Sequence, residues 1–162
     1  VPVEMMKEIV RKLVSAHQKL YEIALKKKEA IKTGDAQLVG RLTLQEMPLI
    51  DEVRSLEDRR AEQVKRDLPF AADTPTFREW EAAAVSDAEQ PEWHNLYLEL
   101  ANSVLVLKQA NRLNQDLLRQ SLQWVRLSMN LFQPPSQPAN YGDPRSNQVS
   151  ASTYSFRIDS RA

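Results

Sequence analysis

Between Pro91 and Pro134 the chain runs without a single Gly or Pro. No other feature limits the fold so tightly, because those two residues are the ones that end helices and shape turns. Within the span, apolar residues fall at Trp93, Tyr97, Leu100, Val104 and Leu107, four and three apart, the spacing of one helix face. The row continues as Asn111, Asn114, Leu118, Ser121, Val125, Ser128 and Phe132, turning partly polar. From mid-span a neighbouring row takes over: Val106, Ala110, Leu113, Leu117, Trp124, Leu127 and Leu131. The pattern predicts one helix from Pro91 to Phe132, roughly 60 Å long. The change of row predicts a shift of helix phase against its partners. Pro91 opens the helix, and Pro134-Pro135 closes it.

A rod of that length needs long partners, and the first half of the chain supplies two. From about Glu4 to Lys32, one apolar row holds Val3, Met6, Val10, Leu13, Leu20, Ala24 and Ile31, and a second holds Ile9, Ala16, Ile23 and Ala30. Together they make a wide apolar stripe. Thr33-Gly34-Asp35 then reads as a tight turn, with Gly34 ending one helix and Asp35 capping the next. So short a connection predicts an antiparallel hairpin. The second helix runs from about Ala36 to Lys65 on a stripe of Leu38, Leu42, Leu49, Val53 and Leu56. Pro48 predicts a kink inside it, and Glu57-Asp58-Arg59-Arg60 reads as a solvated end. Leu68-Pro69-Phe70 breaks the pattern, and Thr74-Pro75 predicts a cap for a short helix reaching about Val85. The fold class is therefore all-α: an elongated antiparallel helical bundle or coiled coil over residues 1–133. Residues 134–162 are rich in Pro, Ser, Asn and Gln and are expected to form a flexible C-terminal tail.

Composition excludes several function classes. Lys and Arg together equal Asp and Glu at 22 each, which argues against nucleic acid, since phosphate binding draws on a basic surplus. The local cluster Lys26, Lys27, Lys28 and Lys32 reads as a solvated helix end. There are no cysteines, so disulfide and thiolate chemistry are absent. No apolar run approaches the roughly 20 residues of a membrane span, and no signal peptide is visible. Nor is there a phosphate-cradling Gly-rich loop or a nucleophile elbow. A di-iron bundle site needs Glu three residues before His, but Val14 precedes His17 and Pro91 precedes His94 at that spacing. His17 reads as a core histidine and His94 as a surface one. Asn111 and Asn114, in an otherwise apolar row, read as register-setting residues. No enzyme, cofactor or metal site is expected.

The end of the last helix is different. Leu117, Leu118, Leu122, Trp124, Val125, Leu127, Met129, Leu131 and Phe132 surround much of its circumference. A two-helix hairpin cannot bury all of them, so either a partner protein covers this end or it lies inside a larger bundle or homodimer.

The layout resembles the FlgN family. The residues that carry the resemblance are Lys32-Thr33-Gly34-Asp35, then Leu56-Glu57-Asp58-Arg59-Arg60. The most specific is Asn111-Arg112-Leu113-Asn114-Gln115-Asp116-Leu117-Leu118, which is similar to an Asn-x-x-Asn-x-x-Leu-Leu pattern of that family, followed by Tyr141-Gly142 after a Pro-rich break. The resemblance implies a cytoplasmic chaperone of flagellar type III export. Such a protein holds the hook–filament junction proteins FlgK and FlgL and delivers them to the export gate. It places cargo contacts on Leu117, Leu122, Trp124, Leu127, Met129 and Leu131, and gate docking on Tyr141. The alternative is a structural coiled-coil adaptor with no export role.

Overall fold

The computed structural model describes residues 2–69 and 75–132. Among them are four helices and no strand: α1 Pro2–Lys32, α2 Ala36–Asp67, α3 Phe77–Ala84 and α4 Gln90–Phe132. The expected tail, with Tyr141, lies outside the described residues.

The turn between α1 and α2 forms as its residues dictate. Gly34 has a φ of 73°, a left-handed conformation open to Gly at little cost. Asp35 then accepts the Leu38 N–H on its side chain, 3.0 Å away. The chain reverses there, and α2 returns antiparallel: Ile23 and Ala30 pack on Leu42 at the tip, and Met6 and Val10 meet Val64 at the far end. Pro48 does not reverse the chain, and α2 is continuous through it.

The wide apolar stripe of α1 serves two neighbours. Ile23 and Ala30, of one row, face α2. On another side of α1, Lys7 bonds Glu92 and the Ala24 carbonyl accepts from Asn114. Position 7 thus meets 92 and position 24 meets 114, so α4 runs parallel to α1, the only parallel pair among the three long helices. The central cluster draws Ile9, Leu13, Ala16, Leu20 and Ala24 from α1, Val53 and Leu56 from α2, and Leu107 from α4. Each Leu, Ile or Val among them contributes about 1.5–3 kcal/mol by leaving water. α1 is therefore the spine, with helices along two sides of it.

A second cluster, at the end remote from the Gly34 turn, fixes α3. Trp80 and Trp93 are fully buried there with Met6, Val10, Val64, Val85 and Leu96. Their rings lie 5.2 Å apart, and Phe77 stacks on Trp80 at 5.7 Å. The Trp80 indole N–H donates to Asp67 at 2.7 Å.

Four expectations need correction. The charged stretch Glu57–Arg60 is not a solvated end: Glu57 and Arg60 are half-buried and Gln63 and Val64 are buried beyond them, while α2 closes at Asp67, near the expected Lys65. Arg60 instead pairs with Glu57 at 2.7 Å and lies 4.9 Å over the Phe77 ring. The cap of α3 is Thr76 and not Thr74, because Thr76 and Glu79 close a reciprocal capping box. Lys27 is no solvated end either, since it crosses to Glu46 of α2 at 3.2 Å with both side chains largely buried. The fourth concerns the two rows of α4: the helix does not change phase. Its first row still faces α1 at Asn114, and much of the second row is simply uncovered.

Candidate protein-binding surface

Asn114 marks where the covered part of α4 ends. It is buried, and its Nδ2–H donates to the Ala24 carbonyl at 2.9 Å. From Ala24, α1 continues only to Lys32, whereas α4 continues from Asn114 to Phe132. At about 1.5 Å per residue, the last ten or so residues of α4 project about 15 Å past the hairpin tip. They have no α1 left to lie on.

The apolar surplus sits on this projection. Leu122, Trp124, Leu127, Met129 and Leu131 are all exposed, Trp124 at 69% and Leu131 at 76%, and Leu117 is half-buried. These six candidate residues do not share one face. Leu122 and Met129 fall with Leu118 and Val125, at four-three-four spacing, on the prolongation of the side that meets α1. Leu117, Trp124, Leu127 and Leu131 lie with Leu113 on a different side. There, Gln120, Gln123, Trp124 and Leu127 line a shallow hollow. Leu118, at 39% exposure, and Val125, at 51%, belong to the surface although the sequence reading did not single them out as contacts. Their spacing from Leu122 and Met129 was the available signal.

The motif residues have structural work. Leu56 is in the central core, Glu57 and Arg60 form an ion pair, and Asn114 ties α4 to α1. His17 is buried, its Nδ1–H donating to the Leu13 carbonyl at 2.6 Å, and His94 is exposed. At the opposite end, Lys7 reaches Glu92 at 3.1 Å and Glu4 at 3.3 Å, and the bond to Glu92 holds its ammonium above the ordinary lysine range. Glu89, just before α4, takes the Ser86 hydroxyl and N–H on its carboxylate, which holds it below the usual range. Among the described residues no three His, Cys, Asp or Glu side chains gather as metal ligands would, and no helix is long and apolar enough to cross a membrane.

The arrangement defines a class: a helical bundle whose longest helix outruns its partners and presents an apolar end to other molecules. The chain belongs to the FlgN family, whose description, FlgN protein, matches it over residues 3–148. It is also similar to a Bacillus subtilis (strain 168) protein named Uncharacterized protein YvyG, with 24% identity over 155 residues, 96% of each chain. No solved structure matches it. Membership of the family implies a flagellar export chaperone, a protein that binds flagellar proteins rather than transforming a substrate.

Proposed function

We propose that this chaperone holds the hook–filament junction proteins FlgK and FlgL in the cytoplasm and delivers them to the export gate. One observation carries the reading: a member of an export-chaperone family leaves the apolar end of its longest helix uncovered. A helical segment of the cargo lies along that end, touching Leu117, Leu122, Trp124, Leu127, Met129 and Leu131. The cargo hides an apolar face that would otherwise aggregate, and the chaperone hides its own. The helical unit, residues 1–133, captures. The segment 134–162 carries Tyr141, which docks on the gate after capture.

Titration with purified FlgK and FlgL tests this directly. Leu127→Glu and Met129→Glu are expected to weaken binding at least tenfold, because a carboxylate placed in an apolar contact loses its water. Both residues are exposed in the free protein, so circular dichroism should show unchanged helicity. Normal cargo affinity in both variants would move the surface elsewhere, and wild-type protein that binds neither cargo would favour the adaptor. Tyr141→Ala is expected to keep cargo affinity and lose secretion. Secretion at the wild-type level would remove Tyr141 from gate docking.

A further inference from the structure

The charges of α4 are sorted along its length. From Gln90 to Leu107 it carries Glu92 and Glu99 and no Lys or Arg, whereas from Lys108 to Phe132 there are four cations, Lys108, Arg112, Arg119 and Arg126, against the single carboxylate of Asp116. On a chain of zero net charge this is a local basic field. The cations stand four, seven and seven residues apart, which stacks them into one ridge along the helix. The ridge runs between the two apolar rows of the projecting end. All four side chains are exposed. Arg119 has a loose pair with Asp116 at 3.8 Å, and Lys108, Arg112 and Arg126 have no ion pair among the described residues.

Two ordinary explanations fail. Cations often stabilise a helix by lying at its C-terminus, but that effect is confined to the final turn, and the last turn of α4 holds no basic residue. Ion pairing along the helix is the other, and only Asp116 is present to supply it. A row of exposed cations, three of the four without an ion pair among the described residues, beside exposed apolar rows fits the rim of an interface, where charge selects the partner and speeds its arrival.

We propose that the projecting end of α4 takes an amphipathic helical segment whose apolar face is flanked by carboxylates at heptad spacing, in register with Arg119 and Arg126. This rests on the reading above that the same surface holds cargo, and adds the chemistry by which cargo is chosen. Arginine suits the role, because its planar fork pairs carboxylates bidentately. The carboxylates of the segment lie over the ridge while its apolar side chains cover Leu122 and Met129, the apolar row nearer to it.

Two synthetic amphipathic helical peptides with one apolar face in common, flanked by Glu in one and by Lys in the other, test the proposal on the full chain. Fluorescence anisotropy of the dye-labelled peptides reports binding. The Glu-flanked peptide is expected to bind about tenfold more tightly at low salt, with the advantage shrinking as salt rises. In Arg119→Glu/Arg126→Glu the preference should reverse, and in Arg119→Gln/Arg126→Gln it should vanish. Equal affinity for the two peptides, or a preference that survives the charge reversal, overturns the proposal. If in that case Leu127→Glu still weakens FlgK or FlgL, the cargo surface stands and only its selectivity is lost. Binding of neither peptide overturns it as well, as does sedimentation showing a stable dimer that the Glu-flanked peptide fails to dissociate, since a second copy is then the occupant.

Discussion

Asn114→Leu is expected to make the free protein more stable and less well defined. Asn114 is 5% exposed; its Nδ2–H has a partner in the Ala24 carbonyl, but its buried Oδ1 meets no protein donor. Leu has nearly the same branched shape. The substitution forfeits one hydrogen bond, worth about 1 kcal/mol net, and the Ala24 carbonyl keeps its own bond inside α1. It also removes a desolvated acceptor, relieving about 1–3 kcal/mol, and adds apolar burial of about 1.5–3 kcal/mol, less a fitting penalty of about 1–3 kcal/mol. The balance favours Leu by about 1–2 kcal/mol. Urea denaturation should therefore show a midpoint raised by about 0.5–1 M. What is lost is the buried bond to the Ala24 carbonyl across the α1–α4 interface, which fits a single register. Spin labels on the exposed Gln18 and Lys108 should give one distance in the wild type and a second population in the variant, displaced by a heptad slip of about 10 Å. A lowered midpoint would refute the energetic argument, and a single unchanged distance would refute the register argument.

Trp80→Ala should cost about 3–5 kcal/mol in denaturation, because a fully buried indole leaves a cavity between α1, α2 and α4 and Asp67 loses its donor. Trp80→Phe should cost much less, and neither variant should alter cargo affinity, because the cluster lies at the end of the bundle remote from the projection; a loss of cargo affinity would contradict this. Lys7 tests the latch between α1 and α4. Its bond to Glu92 raises its pKa above the ordinary 10.5, so the stability it contributes is fully present below that value and is lost as pH rises through the raised one. The stability gap between wild type and Lys7→Met should hold from neutral pH to about 10 and close above it; a gap independent of pH would exclude the ion pair as its source.

The long helices and the Gly34 turn were legible because each rests on a local rule: helical apolar spacing, a left-handed Gly, an Asp cap. The central place of α1 was not, because its two rows make one wide stripe and only the contacts of Lys7 with Glu92 and of Ala24 with Asn114 lay α4 along it. Thr76 was missed as a cap because Thr74-Pro75, two residues earlier, offers a competing start, and the deciding partner is Glu79. At the binding surface the residue types were legible from their surplus. How much of each row stays uncovered was not, because it depends on where α1 ends relative to α4. That offset is fixed by the contacts of Lys7 with Glu92 and Ala24 with Asn114, pairs far apart in sequence.

Those same pairs set a timetable for synthesis. The residues they join are 85 and 90 positions apart, an unusual span for a helical protein, whose contacts are mostly local. α2 can fold onto α1 as soon as the hairpin emerges from the ribosome, but the side of α1 that takes α4 must wait for the last third of the chain. From Asp67, where the hairpin is complete, to Phe132, the delay at about 5–20 residues per second is about 3–13 s. For that interval the nascent chaperone displays a sticky helix face of its own. Lys7 and Arg11, which bond Glu92 once α4 arrives, then set charge beside that face and slow its premature association.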